Sequence, residues 1–269
     1  MTTVLFVCLL AMGAGAGFLA GLFGVGGGMV MVPLLTMVFS AMGVGDALIV
    51  QMALATALAT IMFTSLSSMR AHHKAGAVQW HLVWMLVPGI LIGGQLGARV
   101  VAYLPGRVLA GMFGLFVGWT AWKMLNSAKK STEVTAEREP GRLELAGAGV
   151  GIGILSALFG AGGGFVTVPY LSGRGLAFAK AIATSAACGF PIALSGTLGY
   201  MLIGWWHGLP GGALAYIDLV VLFSIVPMSM LFAPLGARAA HRLPVAKLKR
   251  LFACLLFCLA GYMLIFRAF

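Results

Sequence analysis

Residues 21–35 read GLFGVGGGMVMVPLL, and residues 157–171 read ALFGAGGGFVTVPYL. Ten of these fifteen positions are identical at an offset of 136. Working outward, Ala55-Thr56 returns as Ala183-Thr184 and Ser67 as Ser195, at an offset of 128. Val87-Pro88, Gly97-Ala98-Arg99 and Leu104-Pro105 return as Val226-Pro227, Gly236-Ala237-Arg238 and Leu243-Pro244, at an offset of 139. Matching blocks in the same order, separated by small insertions, are the mark of an internal duplication. The halves are 1–127 and 144–269. The polar stretch between them, 128–143, carries three of the six acidic residues and reads as a solvated linker.

The composition excludes a water-soluble fold. Of the 269 residues, 61% are hydrophobic and 9% charged, and mean hydropathy is +1.05. A soluble domain carries roughly 25% charged residues. Long apolar runs point to an all-α polytopic membrane protein rather than a barrel. Each half divides into five such runs: 4–23, 29–43, 46–69, 81–103 and 107–125, then 144–160, 165–179, 180–204, 214–240 and 248–267. The first run has no charged leader, since the first Lys or Arg is Arg70. It also recurs in the second half, so it is expected to stay in the membrane.

The net charge of +11 lies in short loops, which reports orientation and not a nucleic-acid-binding face. If the first two runs of each half form a hairpin around the glycines, the halves are inverted. One face then collects 14 of the 17 Lys and Arg residues; Arg99, Arg107 and Arg267 fall opposite. If those two runs are one broken span, the split is 9 to 8 and carries no bias. The positive-inside rule selects two inverted repeats, each with a Gly-rich broken or re-entrant helical hairpin. The reading is a multi-pass membrane protein with a cytoplasmic linker and both termini outside. The run 29–43 gives only about 22 Å of helix against a hydrocarbon core of ~30 Å, so the glycine tips are expected at depth.

The glycine clusters are the sharpest candidate site. Gly26, Gly27, Gly28 and Gly162, Gly163, Gly164 each lead into a short helix, whose first turn offers unpaired N–H groups and the positive end of the helix dipole. Such an end suits an oxyanion without a buried lysine. Pro33 and Pro169 are expected in or near those first turns. Thr56, Thr60, Thr64 and Ser68 form a polar stripe, answered by Thr184, Ser185, Cys188 and Ser195; Gln51 opens that segment. Their hydroxyls and amide could donate to the anion, or could only bond between helices. Arg99 and Arg238 read as snorkelling anchors or gating contacts. Asp46 and Asp218 stand at segment starts as helix caps. His72, His73 and His81 fall in or beside a basic loop. Their spacing does not suit a metal, and no cofactor is expected. The four cysteines read as packing residues. No nucleophile–base pair or phosphate-binding Lys motif appears, so the chain does not read as an enzyme.

The paired GxGGGxxxxP blocks, Gly24–Pro33 and Gly160–Pro169, resemble the TauE/SafE family of sulfite exporters, and duplication, length and central linker fit across nearly the whole chain. That resemblance implies a polytopic inner-membrane permease for a small sulfur-containing anion such as sulfite or an organosulfonate. The halves differ at Thr60/Cys188 and in an extra Trp205-Trp206-His207 segment, so a strictly twofold site is not implied. The expected partners are that anion and the lipid bilayer, with no nucleic acid and room for a homodimer. A membrane scaffold without transport, or an uptake permease for another solute, stays open on the residues alone.

The inverted arrangement predicts a labelling pattern. In a cysteine-free background, Ala75→Cys and Thr135→Cys should react only from the cytoplasm, and Val44→Cys and Gly208→Cys only from outside. Reaction of positions 75 and 135 from opposite faces would end the model.

Overall fold

The structure is a computed structural model that describes residues 3–24, 26–127, 141–206, 214, 216–240 and 245–268. It is all helix: α1 (Thr3–Phe23), α2 (Gly28–Ala41), α3 (Asp46–Lys74), α4 (Trp80–Tyr103), α5 (Gly106–Ser127), α6 (Arg142–Phe159), α7 (Gly164–Gly173), α8 (Phe178–Trp206), α9 (Leu219–Ala240) and α10 (Val245–Met263), with a short π-helical end at Leu264–Ala268. Among the described residues, seven helices are long and apolar enough to cross a bilayer, while α2 and α7 have 14 and 10 residues. Most of the linker, and His207, lie outside the described residues.

The five expected runs per half are all helical, but three boundaries and one cap differ for physical reasons. The second short run ends at Gly173, because Arg174 and Gly175, with φ +90°, stop it before α8 begins. The run at 214 starts as a helix only at Leu219. There the Asp218 carboxylate accepts the Val221 N–H at 2.9 Å, the expected cap. α3 continues to Lys74, into the predicted loop. It buries His72, whose Nε2 lies 3.0 Å from the Gly21 carbonyl oxygen. Asp46 is not a cap: Gly45 holds that position, and the Asp46 carboxylate is exposed and meets Arg267 at 3.2 Å.

Helix directions follow from which residues meet. Gly13, Gly17 and Gly21 of α1 face Ile225, Ser229 and Ala233 of α9, so α1 and α9 run parallel. Gly89, Gly93 and Gly97 of α4 face Ala146, Val150 and Ile154 of α6, also in parallel. α3 runs with α9, as Thr56 bonds the Asp218 N–H and Thr64 lies 2.7 Å from the Ser229 hydroxyl. α8 runs with α4 through Ser195–Leu91 and Gly199–Ala98, but against α3 through Gly189–Ser65 and Gly196–Leu58. Hence α1, α3 and α9 point one way, and their counterparts α6, α8 and α4 the other. These directions are consistent with inverted repeats. They place the basic ends at Arg70, Lys74, Arg142, Lys180 and Arg238 together and Arg99 opposite. α2 starts beside Ile61 and leads directly into Asp46, so it returns antiparallel to α1. The second hairpin closes at its open end with an ion pair between Glu144, at the start of α6, and Arg174, just past α7.

The lateral frame is made by glycines at i, i+4. Lipid tails are as apolar as leucine, so helices associate by close van der Waals approach, which small residues permit. A Cβ on Gly13 would lie 2.5 Å from the Ile225 carbonyl oxygen, and one on Gly153 2.5 Å from that of Ile90. Gly15, Gly147 and Gly151 meet nothing within 4 Å and face outward.

Gly17→Val should therefore force α1 off α9 and cost on the order of 1–3 kcal/mol, the range for overpacking, whereas Gly15→Ala should be neutral or stabilising. Thermal unfolding in detergent, followed by size-exclusion chromatography, checks the contrast. Equal losses in the two variants would refute the close-packed seam.

Candidate functional site

The two glycine tips meet at the centre of the molecule. Gly26 and Gly28 lie against Ile61, one residue past the middle of α3, and Gly163 lies against Ile192, the middle of α8. A Cβ on Gly28 would overlap the Gly160 carbonyl oxygen, and one on Gly26 would stand 3.0 Å from the Gly162 Cα. Backbone therefore packs on backbone between the halves. Gly27 and Gly163 are the N-caps of α2 and α7, with φ of 76° and 77°, a left-handed conformation that favours glycine. Their carbonyls take up the first helical bonds, from Met31 at 3.0 Å and Thr167 at 2.8 Å. Both helix N-termini thus open at mid-depth, where a first turn has N–H groups to spare.

Pro33 and Pro169 are not in the first turns. Each is the sixth residue of its helix, so the carbonyl four residues back, Met29 or Phe165, lacks its helical donor from the proline nitrogen.

The hydroxyls expected beside the anion mostly tie helices together. Thr56 and Thr184 do matched work. The Asp218 N–H donates to Thr56 Oγ1 at 3.2 Å, and the Gln79 N–H donates to Thr184 Oγ1 at 3.1 Å. Each threonine thus holds the start of α9 or α4. Thr60 bonds back to the Thr56 carbonyl at 2.9 Å, the local bond open to any helical threonine. Ser185 does reach a tip, donating to the Gly24 carbonyl at 3.0 Å. Gln51 donates to the Leu104 carbonyl at 3.3 Å, between α4 and α5, and its buried Oε1 has no protein partner. The structure therefore joins Gly26, Gly28 and Gly162 in one contact and adds Ser185 at its rim. The described bonds of Thr56, Thr184 and Gln51 join separate elements, and that of Thr60 stays within α3.

Arg99 and Arg238 are exposed, while the Gly-Ala pairs before them are buried, Gly97 against α6, Ala98 against α8 and Gly236 against α1. Both side chains thus lie on the surface of the helix bundle. Among the described residues, no carboxylate lies midway along a helix: Asp46 is exposed, Asp218 caps α9, and Glu144 sits at the α6 start. Two polar residues escaped the sequence reading. Ser156 and Thr167 are fully or nearly buried, and their hydroxyls lie beside Gly163. Comparison of the two halves carried the signal, since the matched residues Ala20 and Met31 have no hydroxyl.

Comparison with known proteins places this arrangement. The family model described as "Sulfite exporter TauE/SafE" matches residues 9–263. A Haemophilus influenzae protein named "Probable membrane transporter protein" is 38% identical over 261 residues, covering 97% of this chain and 98% of its own. A Methanocaldococcus jannaschii protein of similar name is 29% identical, with 74% of this chain and 73% of its own covered. The Bacillus subtilis relative YdhB is 25% identical over 87% and 89% of the two chains. No solved structure matches.

The threonine anchors are testable. Thr56→Val and Thr184→Val each remove the acceptor of a partly buried backbone N–H and should each cost about 1 kcal/mol, whereas Thr→Ser at either position should retain stability. Unfolding midpoints unchanged in both valine variants would dismiss the anchoring role.

Proposed function

The chain belongs to the TauE/SafE sulfite exporter family and is a membrane transporter, and on that premise we propose that it is a permease exporting a small sulfur-containing oxyanion, sulfite or an organosulfonate, by alternating access across the inner membrane. The observation that carries this reading is the meeting of two broken hairpins at mid-depth, each presenting a helix N-terminus. Such ends meet negative charge through N–H groups and dipole, without an ionised side chain in the membrane core. Interrupted helices with opposed halves are the usual frame for such a site.

The driving force follows from charge. A proton or sodium relay commonly uses carboxylates or histidines within the spans. Here the described carboxylates sit at helix ends, and the buried His72 lies in the last turn of α3 and not midway along it, so the anion itself is the charge that feels the field. Its exit from an inside-negative cell is favoured by ~2.3 kcal/mol per charge per 100 mV. The linker is cytoplasmic in this reading and both termini face outward. A second reading, a membrane scaffold without transport, is favoured by the overlap of the tips at Gly28 and Gly160. In it the glycines serve packing alone.

Proteoliposomes clamped at potassium-diffusion potentials separate these readings. The equilibrium ratio of a monovalent anion should change about tenfold per ~60 mV, and that of a divalent anion twice as steeply on a logarithmic scale. Asp218→Asn and Asp46→Asn should leave that dependence unchanged. Accumulation that follows an imposed pH or sodium gradient and ignores the potential would reject the uniport mechanism. The absence of any anion flux would favour the scaffold.

A further inference from the structure

Ser156 lies near the end of α6 and Thr167 in the first turn of α7, on the two arms of the second hairpin. Their residues are 2% and 0% exposed, and neither hydroxyl has a hydrogen-bond partner among the described residues. Both oxygens lie 3.4 Å from the point where a Cβ on Gly163 would stand, so they converge on the tip from which α7 starts. An unsatisfied buried hydroxyl costs roughly 1–3 kcal/mol. Two of them beside a helix N-terminus form a place in need of a polar occupant. The remaining side is closed by the terminal methyl of Ile192, the mobile end of an aliphatic side chain that a rotamer change can withdraw.

The first hairpin has no such place. At the offset of 136 the matched residues are Ala20 and Met31, both buried. The duplicated frame therefore carries its hydroxyl pair on one side only.

We propose that Ser156, Thr167 and the N-terminus of α7 form a subsite for one or more oxygens of a sulfite-class oxyanion, with the second hairpin as the binding arm and the first as its apolar support. This rests on the transport reading above. Hydroxyl and backbone N–H donors together with a positive helix end select an anion. A cation would find no carboxylate in the described surroundings of Gly163.

The test uses the full-length chain and sodium sulfite. Sulfite binding is measured in detergent by calorimetry, and transport in proteoliposomes as KM and maximal rate. Ser156→Ala and Thr167→Val should each weaken sulfite binding and raise KM on the order of 10–100-fold, the value of a buried hydrogen bond to a charge. In the absence of sulfite, both variants should unfold at the same or a higher temperature, because each removes an unpaired hydroxyl. Thr167→Ser should keep wild-type affinity, and Ala20→Ser, the first-half counterpart, should leave KM unchanged.

Wild-type affinity in both Ser156→Ala and Thr167→Val would overturn the subsite and leave the hydroxyls to bound water. Sulfite that binds through these hydroxyls without moving across the membrane would sustain the subsite and refute the transport reading. A wild-type chain that neither binds nor moves sulfite would overturn both.

Discussion

Gly28 and the Gly160 carbonyl press backbone against backbone where the halves of the chain cross. In hydrocarbon, an irregular segment survives only when its polar groups are enclosed by protein or line a polar cavity. Here the enclosure is the other tip. Two turns that would each be intolerable against lipid are tolerable together, because the absence of side chains lets each cover the other. Ser185 completes the cover by donating to the Gly24 carbonyl, and the Ala161 N–H turns back to the Ser156 carbonyl at 3.1 Å. The breaks in the helices, the short lengths of α2 and α7, and the placing of two helix N-termini at mid-depth all follow from this contact.

The surrounding frame is built so that the tips can meet. α1 packs on α9 and α4 on α6 through glycines at every fourth position, which fixes the outer arm of each hairpin against a helix of the opposite half. Thr56 and Thr184 pin the starts of α9 and α4 to the two central helices by the same kind of bond, 3.2 Å and 3.1 Å long. Each contact joins one half to the other or an inner helix to an outer one. The two halves thus depend on each other for their packing.

Against this shared frame, the polar groups are unequal. The first tip is flanked by Ala20 and Met31, the second by Ser156 and Thr167. Thr60, bonded to its own helix, stands where the second half has the buried Cys188. Duplication supplied two similar cradles, and side-chain divergence made them chemically distinct. The oxyanion proposed above, pyramidal with three oxygens, does not itself have twofold symmetry, so a one-sided polar site is compatible with that proposal.

Ten helices, their order, the position of the breaks and the bias of charge toward one face were legible in the amino-acid sequence. Hydrophobic run length, glycine clusters and loop lysines are local properties that a bilayer reads directly. Asp218 as a cap was legible for the same reason, since a cap acts within one turn. What lay beyond local reading was the partner of each polar side chain. Thr56 and Thr184 each accept a backbone N–H, from Asp218 and Gln79, that only the approach of distant helices supplies. His72 and Asp46 were misplaced because burial and ion pairing depend on which helix end arrives beside them, Gly21 in one case and Arg267 in the other. Ser156 and Thr167 are 11 positions apart in the chain, with no spacing that marks a site. Tertiary structure alone brought them together, by folding α7 back along α6 so that both hydroxyls face the same left-handed glycine.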